Sequence, residues 1–392
     1  MIRLGVIGYG LRARGVIGLI YPLNAGVEVT AIADVKDPED AKKHLESIGK
    51  DQSKVTFYTD PDEMLDKEEL DAVLIGTRCS LHTTMAKKVL ARKLPLYLEK
   101  PVATNMDDLI SLRDASEKAT SDVVVSFPLR VTPLAIMAKE IIDSGQVGTI
   151  EHVEAWNDVP YGGCYFHSWY RDENETQGLF LQKATHDFDY ITHIIGHNPV
   201  MVCAMTSKQI YKGDHPAGLK CADCTEWDAC LESPFHNFFT KQEYKDASAQ
   251  GWLEWCGFAK DTGNEDSGSA IIRYDTGMHV SYSQNFFARK AAGRRGARFF
   301  GYKGTVEFDW YTDELKVYMH HKPIVETHKL DSSGMSHGGG DTVLVNSFVR
   351  MIKGEQKSVS PLSAGLRSAL MCLKAKESAA TNTFQEVKWP DR

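Results

Sequence analysis

A glycine-rich segment near the start of the chain carries the clearest chemical pattern. Gly8-Tyr9-Gly10-Leu11-Arg12-Ala13 directly follows an apolar run and has the spacing G-x-G-x-x-G/A. In this pattern the first glycine permits a tight turn, the second lets the backbone approach a pyrophosphate, and the small last residue allows close helix–strand packing. The N-terminus of the next helix offers N–H groups to phosphates. We therefore predict a dinucleotide site that includes Leu11 and Arg12.

An acidic residue follows where such a site requires one. Asp34 ends the second apolar run, 24 residues after Gly10, and a carboxylate there would accept hydrogen bonds from the adenosine ribose hydroxyls. The same carboxylate repels a 2′-phosphate, so we predict NAD rather than NADP. Lys36 is the nearby cation that could weaken this preference.

Three cysteines lie close together in the second half of the chain. Cys221, Cys224 and Cys230 fall within ten residues and begin with a C-x-x-C spacing, which is typical of zinc ligands. A structural zinc ion would order the polar segment 210–251. It needs a fourth ligand, for which the candidates are His236, His215, Cys203 and Cys256. The alternative is a set of thiols that bind no metal.

The elements around these residues divide the chain into parts. Up to residue 128, β-branched runs alternate with helical patterns such as 82–93 and 107–120. Strands that alternate with helices pair in parallel through right-handed crossovers. We therefore predict an α/β Rossmann domain, a doubly wound parallel sheet, over residues 1–128. Its predicted strands are 2–7, 27–33, 55–58, 72–75, 96–98 and 123–126.

After a helix over 132–144, strands separated by short Gly or Asp turns dominate, which indicates a largely antiparallel sheet. We predict a second α+β domain over 129–340 with a large open sheet, and C-terminal helices over 341–392 that pack back on both domains. The exposed sheet face needs a cover, for which a homodimer or homotetramer is the usual solution. The predicted strands are 150–156, 201–210, 270–274, 278–285, 298–302, 305–308 and 315–319, with one helix over 182–195.

Composition narrows the function classes. A length of 392 residues favours two domains. The net charge of −8 argues against a nucleic-acid partner. No apolar run is long enough for a membrane span, and the first eight residues resemble a buried strand rather than a signal peptide. Eight cysteines in a chain of this length do not indicate a secreted disulfide scaffold. We predict a cytoplasmic protein.

Several further segments, taken in order, resemble the Gfo/Idh/MocA family, which includes glucose–fructose oxidoreductase and inositol dehydrogenase. The resemblance covers nearly the whole chain and depends on the order and spacing of the segments. They are 76–82 (Gly-Thr-Arg-Cys-Ser-Leu-His), 98–101 (Leu-Glu-Lys-Pro), Arg130, 144–148, 182–189 (Gln-Lys-Ala-Thr-His-Asp-Phe-Asp), 301–305 and 337–341 (His-Gly-Gly-Gly-Asp).

The resemblance implies roles for residues at the ends of the first-domain strands. Thr77, His82 and Glu99 would line the cofactor, and Lys100 would contact both the substrate hydroxyl and the nicotinamide ribose. A lysine in a partly desolvated cleft can have its pKa lowered toward catalytic use. The resemblance also implies a cis bond before Pro101.

His186 is the second candidate for acid–base chemistry. The family places an aspartate four residues before this histidine, on the same helix face. Here that position is Gln182, which cannot ionise, and Lys183 is an added cation. We predict that Lys100 and His186 handle the proton and orient the alkoxide, while Lys183 either binds substrate, tunes His186 or faces solvent. Asp187 and Asp189 are expected only to cap the helix or to form salt bridges with it.

The loop 161–171 mixes aromatic and polar side chains, which suits the apolar faces and hydroxyls of a sugar. The predicted substrate contacts are Arg130, Tyr165, His167, Trp169 and Arg171.

These observations predict an NAD-dependent oxidoreductase of carbohydrate metabolism that acts on a sugar, sugar acid or cyclitol. The alternative is an NAD-dependent glycoside hydrolase that oxidises, eliminates, adds water and reduces again, since Lys183 supplies an extra base. A third reading, a sensor that binds NAD without turnover, is disfavoured because Lys100 and His186 are both present.

Overall fold

The computed structural model describes residues 1–234, 253–332 and 335–390. In the N-terminal part, six parallel strands form a sheet in the order β3-β2-β1-β4-β5-β6, which confirms the predicted Rossmann fold. The strands are β1 (Ile2–Ile7), β2 (Val27–Ala33), β3 (Thr56–Tyr58), β4 (Ala72–Ile75), β5 (Leu96–Leu98) and β6 (Val123–Val125). The helices between them are α1 (Leu11–Ile20), α2 (Pro38–Ser47), α3 (Pro61–Lys67), α4 (His82–Ala91) and α5 (Met106–Ser116).

The strand order creates a switch point at β1. The chain moves outward from β1 through β2 to β3 and then returns to place β4 on the other side of β1. The loops after β1 and β4 therefore diverge to opposite faces of the sheet and leave a crevice at their carboxyl ends.

The second sheet is mixed. Of the described strands, nine pair in the order β14-β13-β12-β11-β7-β10-β9-β8-β15, and every neighbouring pair is antiparallel except β7 with β10. This confirms the predicted, mainly antiparallel sheet. Its strands are β7 (Ile150–Asp158), β8 (Pro199–Ser207), β9 (Ser267–Tyr274), β10 (His279–Asn285), β11 (Arg294–Gly301), β12 (Gly304–Asp309), β13 (Glu314–Met319), β14 (Val325–Lys329) and β15 (Gln385–Glu386).

Helices cover one face of this sheet, where alternate residues such as Val153 and Val280 are fully buried. The helices outside the first sheet are α6 (Pro133–Asp143), α7 (Cys164–His167), α8 (Glu173–Thr176), α9 (Thr185–Ile195), α10 (Gly340–Ile352) and α11 (Leu362–Thr381). Of these, α6, α9 and α11 pack on the sheet. The opposite face carries exposed Met205 and Ile271 beside charged side chains.

The helix α10 belongs to the first core although it lies near the end of the chain. Leu344 and Phe348 are buried with residues of α1, and the Phe348 ring packs edge-on against Tyr97 of β5 at 5.4 Å between centroids. In the described ranges, no helix combines the length and apolar character that crossing a membrane requires.

Candidate active site

The crevice between β1 and β4 is built at positions that require glycine. Gly8 has a φ of +81° and lies against the next loop, so that an added Cβ would come within 2.7 Å of the Thr77 backbone nitrogen. A Cβ on Gly76 would meet that of Ala13 at 2.9 Å. The two loops therefore touch through their backbones, which brings the start of α1 close to the end of β4.

The residues next to this contact fit a dinucleotide. Gly10 is the N-cap of α1 and provides no side-chain cap, so that the N–H groups of the first turn point into the crevice. The Asp34 carboxylate, at the end of β2, accepts hydrogen bonds from the backbone N–H groups of Tyr9 (2.6 Å) and Lys36 (2.9 Å). These three residues and the start of α2 line a cavity of about 100 Å³, where an adenosine would place its ribose beside the carboxylate.

Arg12 holds three loops at this edge together. Its Nε donates to Glu99 at 2.8 Å, and its two Nη atoms donate to the Asp341 carboxylate at 3.0 and 2.5 Å. Nη2 also donates to the Ser126 hydroxyl. Because every guanidinium nitrogen binds a protein group, these contacts support a role in shaping the loop rather than the predicted contact with the cofactor. Leu11, by contrast, exposes its apolar side chain at the head of α1.

The other residues assigned to the cofactor border the same crevice. Buried His82 approaches the carbonyl oxygens of Pro101 (Nδ1, 2.7 Å) and Thr77 (Nε2, 3.2 Å), so it joins the loops after β4 and β5. The peptide bond between Lys100 and Pro101 is cis, as the resemblance implied. Glu99 binds Arg12.

Lys100 points from the end of β5 toward the second domain. Its Nζ donates to the carbonyl oxygen of Gln182 at 2.8 Å. Burial lowers the pKa of Lys100 to about 8, and the positive charge of Lys183 acts in the same direction while Cys79 opposes it. Gln182 lies in a π-helical turn, 180–184, just before α9, and such turns are frequent at functional sites.

Lys183 and His186 enter the cleft from this turn and the start of α9, and each is only 5% exposed. Nζ of Lys183 donates to the Tyr161 hydroxyl. Burial and the charge of Arg295 lower the pKa of Lys183 to about 7, although Asp187 opposes them. Burial and the charges of Lys100 and Arg295 hold the pKa of His186 well below its ordinary value. The structure therefore brings the three predicted acid–base residues together, with Lys183 and His186 buried and Lys100 half-buried.

The acidic residues near His186 bind elsewhere. Asp187 accepts from Arg295 at 2.8 Å and from Asn157 and Tyr282, both at 2.9 Å. Asp189 forms a two-pronged ion pair with Arg130 at 2.9 and 2.8 Å, and both side chains are buried. Arg130, predicted as a substrate contact, is thus paired with α9 through its guanidinium.

The loop 161–171 divides between the cleft and the segment behind it. The Trp169 ring lies between the Arg78 guanidinium (3.7 Å) and the Tyr170 ring (3.9 Å), beside the loop after β4. Tyr165 is buried behind Lys183, 5.9 Å from its Nζ to the ring centroid. Two of the predicted substrate contacts are buried on partners away from Lys100: His167 on the Trp255 carbonyl and Arg171 on Asp261.

The predicted zinc site gains no support from the described residues. Cys221 donates to the Trp255 carbonyl oxygen at 3.3 Å. Within 1–234, 253–332 and 335–390, no three His, Cys, Asp or Glu side chains lie close enough to share a metal ion. These ranges include the possible ligands His215, Cys203, Cys224, Cys230 and Cys256, whereas His236 lies outside the described residues.

Three residues at the cleft were not singled out as site residues from sequence. Tyr161 binds Lys183, and His337 lies with its ring centroid 6.1 Å from that of His186. Nδ1 of His337 lies 2.7 Å from Oδ2 of Asp341. The i,i+4 spacing of His337 and Asp341 at a helix start was the available signal.

Comparisons with known proteins agree with this architecture. Residues 2–127 match the oxidoreductase family with an NAD-binding Rossmann fold, and residues 136–307 match the GFO/IDH/MocA C-terminal domain. A protein named as an oxidoreductase, YteT of Bacillus subtilis (strain 168), is 27% identical over 317 residues, which cover 73% of this chain and 74% of the relative.

The names of two further similar proteins include a substrate. Inositol 2-dehydrogenase 2 of Saccharopolyspora erythraea is 24% identical over 207 residues, 53% of this chain and 57% of the relative. The solved structure of a levoglucosan dehydrogenase in complex with NADH and levoglucosan superposes with a TM-score of 0.77 at 18% identity, over 98% of this chain and 99% of that one. The last similarity shows the fold alone. With matches to both of its domains, the chain belongs to the Gfo/Idh/MocA family of NAD-binding oxidoreductases.

Proposed function

We propose that this protein is an NAD-dependent dehydrogenase that oxidises a secondary hydroxyl of a sugar, sugar acid or cyclitol. One observation carries the proposal: the amino groups of half-buried Lys100 and of buried Lys183 lie beside His186 at the carboxyl edge of the Rossmann sheet, with pKa values lowered to about 8 and about 7. The names of the inositol and levoglucosan dehydrogenases support the substrate class.

Hydride transfer requires that a hydroxyl proton leave and that the developing alkoxide be stabilised. When NAD is bound, its nicotinamide supplies the acceptor for the hydride. Lys100 and Lys183 supply N–H donors for the substrate oxygen, and their burial strengthens these interactions by excluding water. The half-exposed ring of Tyr161, whose hydroxyl binds Lys183, and that of Tyr311 near Tyr161 suit the apolar face of a sugar ring.

The deciding experiment follows NADH absorbance while the purified protein and NAD are screened against inositols, aldoses and sugar acids. A net rise in NADH with one class of polyol is expected. Lack of NADH formation with every compound, although NADH binds the protein, would reject the dehydrogenase; if aryl glycosides also release no aglycone, the result favours a protein that binds the cofactor without turnover.

A second candidate function comes from Lys183. Its contact with the Tyr161 hydroxyl gives the cleft a second group that could take a proton from carbon next to a transient ketone. The corresponding reaction is glycoside hydrolysis by oxidation, elimination, water addition and reduction. Release of the aglycone from aryl glycosides without net NADH formation would establish this hydrolase in place of the dehydrogenase.

We also propose that two or four copies of the chain pack through the open face of the nine-stranded sheet. Exposed Ile271 and Met205 supply apolar area, and charges of both signs, on Arg298 and Glu154, allow a self-complementary contact. Light scattering should give a dimer or tetramer, and Ile271→Arg should shift it toward the monomer. A wild-type monomer would reject this assembly.

A further inference from the structure

A row of polar side chains crosses the nine-stranded sheet near Lys183. Arg295 of β11 lies opposite Asn157 of β7, and Asn157 lies opposite Gln284 of β10. All three are buried on the face that the helices cover, where β7 otherwise contributes apolar residues such as Val153. Because burial of a polar group is unfavourable unless the group is hydrogen-bonded, the partners of this row show what the row is for.

The row binds the Asp187 carboxylate and still has donors to spare. Asp187 of α9 accepts from Nε of Arg295 at 2.8 Å and from Nδ2 of Asn157 at 2.9 Å. In the part of the chain that the structure describes, neither the buried Nη2 of Arg295 nor the buried Nε2 of Gln284 has a hydrogen-bond partner. Buried donors without an acceptor are rare in folded proteins. The row is therefore equipped to bind a further acceptor.

The charges at this end of the cleft favour an anion as that acceptor. Burial and the positive charge of Arg295 lower the pKa of Lys183, and Asp187 opposes them. Burial also opposes the charge of Arg295, but the Asp187 carboxylate raises the pKa of Arg295 above its ordinary value. Lys183 itself donates to the Tyr161 hydroxyl. Two cationic side chains thus share the Asp187 carboxylate, and a further negative charge beside them would be stabilised.

Tyr161 connects this charged group with the protein surface. It follows β7, is 50% exposed, and accepts the hydrogen bond of the buried Lys183 amino group. The ring of Tyr311, near Tyr161, is 47% exposed. A ligand oxygen that takes the position of the Tyr161 hydroxyl would therefore meet Nζ of Lys183, which has three N–H donors and can bind more than one oxygen.

We propose that Lys183 and Arg295 form a subsite for a carboxylate and that the substrate is therefore a sugar acid; the inference rests on the proposed dehydrogenase function. Lys183 and a terminal N–H of Arg295 donate to the carboxylate oxygens, while the hydroxyl that is oxidised lies beside Lys100. A planar carboxylate matches the fork of a guanidinium. Because Asp187 binds the same arginine, the second negative charge of a phosphate would be repelled.

The first test measures binding and needs no turnover. Glucuronate, galacturonate and mannuronate are titrated by calorimetry into the full-length protein with NADH bound. Each is compared with the hexose that carries a hydroxymethyl group in place of the carboxylate, and with the 6-phosphate of that hexose. At least one acid should bind about tenfold or more tightly than its hexose. Equal affinity within every pair, binding of none of the acids, or tighter binding of the phosphate than of the acid would overturn the proposal.

Two variants locate the subsite. Lys183→Gln removes a cation, and Arg295→Lys keeps the charge that Asp187 requires but removes the fork of the guanidinium. Each should lower the ratio of acid affinity to hexose affinity by about tenfold or more and leave NADH affinity within about twofold. The control is Arg350→Lys, at the exposed end of α10 where Arg350 pairs with Glu355, and it should keep the ratio.

An unchanged ratio in Lys183→Gln, or an equal loss for acid and hexose, would show that Lys183 does not bind a carboxylate. If Arg295→Lys does not fold, Lys183→Gln decides. Turnover separates this inference from the proposed function. Oxidation of a hexose or an inositol as efficiently as any acid, measured as kcat/KM, would keep the dehydrogenase and reject the subsite. Binding of an acid that depends on Lys183, without oxidation of any compound, would support the subsite and reject the dehydrogenase.

Discussion

The cofactor edge and the cleft around Lys100 lie side by side but use different hydrogen-bond donors. The cofactor edge offers backbone N–H groups, and the cleft offers lysine side chains. At the cofactor edge, an anionic pyrophosphate would meet neutral backbone N–H groups around Gly10, and the Asp34 carboxylate is held by two backbone N–H groups. In the cleft, Lys100 and Lys183 bind a carbonyl oxygen and a hydroxyl rather than a carboxylate.

The difference shows two uses of burial. Backbone donors keep their partial charges whatever surrounds them, so the cofactor edge can be formed and rigid before ligand arrives. Buried lysines, in contrast, lose part of their charge, and the pKa values of about 8 and about 7 leave them able to exchange protons near neutral pH. The cofactor edge is therefore suited to binding an anion, and the lysines of the cleft are suited to proton exchange.

Replacing Lys100 should have the largest effect, and it should lower the reaction rate without changing NADH binding. Lys100→Met removes a donor to the substrate oxygen, so kcat should fall by about 10²- to 10³-fold. Steady-state NADH formation measures kcat, and quenching or enhancement of NADH fluorescence reports cofactor binding. Lys118→Met, an exposed lysine after α5, is the matched control. A loss below about threefold would show that Lys100 does not serve the chemistry.

Glycine substitutions test the rigidity of the cofactor edge. Gly8→Ala forces a Cβ to within 2.7 Å of the Thr77 backbone at a φ of +81°, and should lower the free energy of unfolding by about 1–3 kcal/mol and weaken NADH binding. Gly15→Ala lies on the exposed side of α1 with open space around it and should raise stability by about 0.5–1 kcal/mol. Urea unfolding measures both. An equal change in the free energy of unfolding for the two variants would contradict the close contact between Gly8 and Thr77.

The carboxylate of Asp34 should decide between cofactors. Asp34→Ser removes the acceptor for the ribose hydroxyls and the repulsion of a 2′-phosphate, so NAD should bind about tenfold more weakly relative to NADP, about 1.4 kcal/mol. Asp51→Ser is the control, because Asp51 lies outside this cavity and caps the short helical turn 52–54 through the Ser53 N–H, where serine can cap as well. Titrations with both cofactors give the ratio. An unchanged ratio would remove Asp34 from the ribose site.

The smallest expected effect concerns the stability cost of Lys183. Its folded-state pKa of about 7 lies below the unfolded value of about 10.4. Between these values the unfolded chain binds more protons at this site, so the free energy of unfolding contains a contribution that rises with pH. Lys183→Met should lack it, and the wild type should gain stability relative to the variant by about 1 kcal/mol from pH 7 to pH 8.

Urea unfolding at several pH values measures this difference, with Lys118→Met as the exposed comparison. The charges of Arg295, Asp187 and Cys164 act on Lys183 and must keep their states for the sign to hold. The charge of Lys100 also acts on Lys183, and its loss as pH rises favours protonated Lys183, so it reduces the difference without reversing it. A difference that shrinks as pH rises would contradict the lowered pKa of Lys183.

The sequence predicted the first sheet closely because its signals are local. The bounds of β1, β2, β4 and β5 agree with the predictions to the residue, since each strand is an apolar run that ends at a turn or glycine. In contrast, β14 was missed, because Val325–Lys329 is mostly exposed and shows no apolar alternation. The parallel pairing of β7 with β10 was also missed, since more than 100 residues separate them in the chain.

For the site, sequence identified residues better than their partners. Lys100, Lys183 and His186 were named and do lie together, because motif spacing placed them at strand and helix ends. The ion pair of Arg130 with Asp189 was not predicted, because it spans 59 positions and no local pattern reveals such a contact. His337 was not singled out, because only the fold brings its ring to within 6.1 Å of the His186 ring between centroids.

The Arg12–Asp341 ion pair limits how freely the two halves of this protein could be recombined. It joins positions 329 residues apart, and the apolar side of α10 completes the core that begins with α1. If residues 1–128 were replaced by the Rossmann domain of a relative, Asp341 would lose Arg12 as its counter-ion. Leu344 and Phe348 of α10 would also lose the α1 residues that bury them, unless α10 were replaced as well. The unit that can be exchanged between relatives is thus discontinuous in sequence. A chimeric protein must take the cofactor loop and the last fifty residues from the same parent.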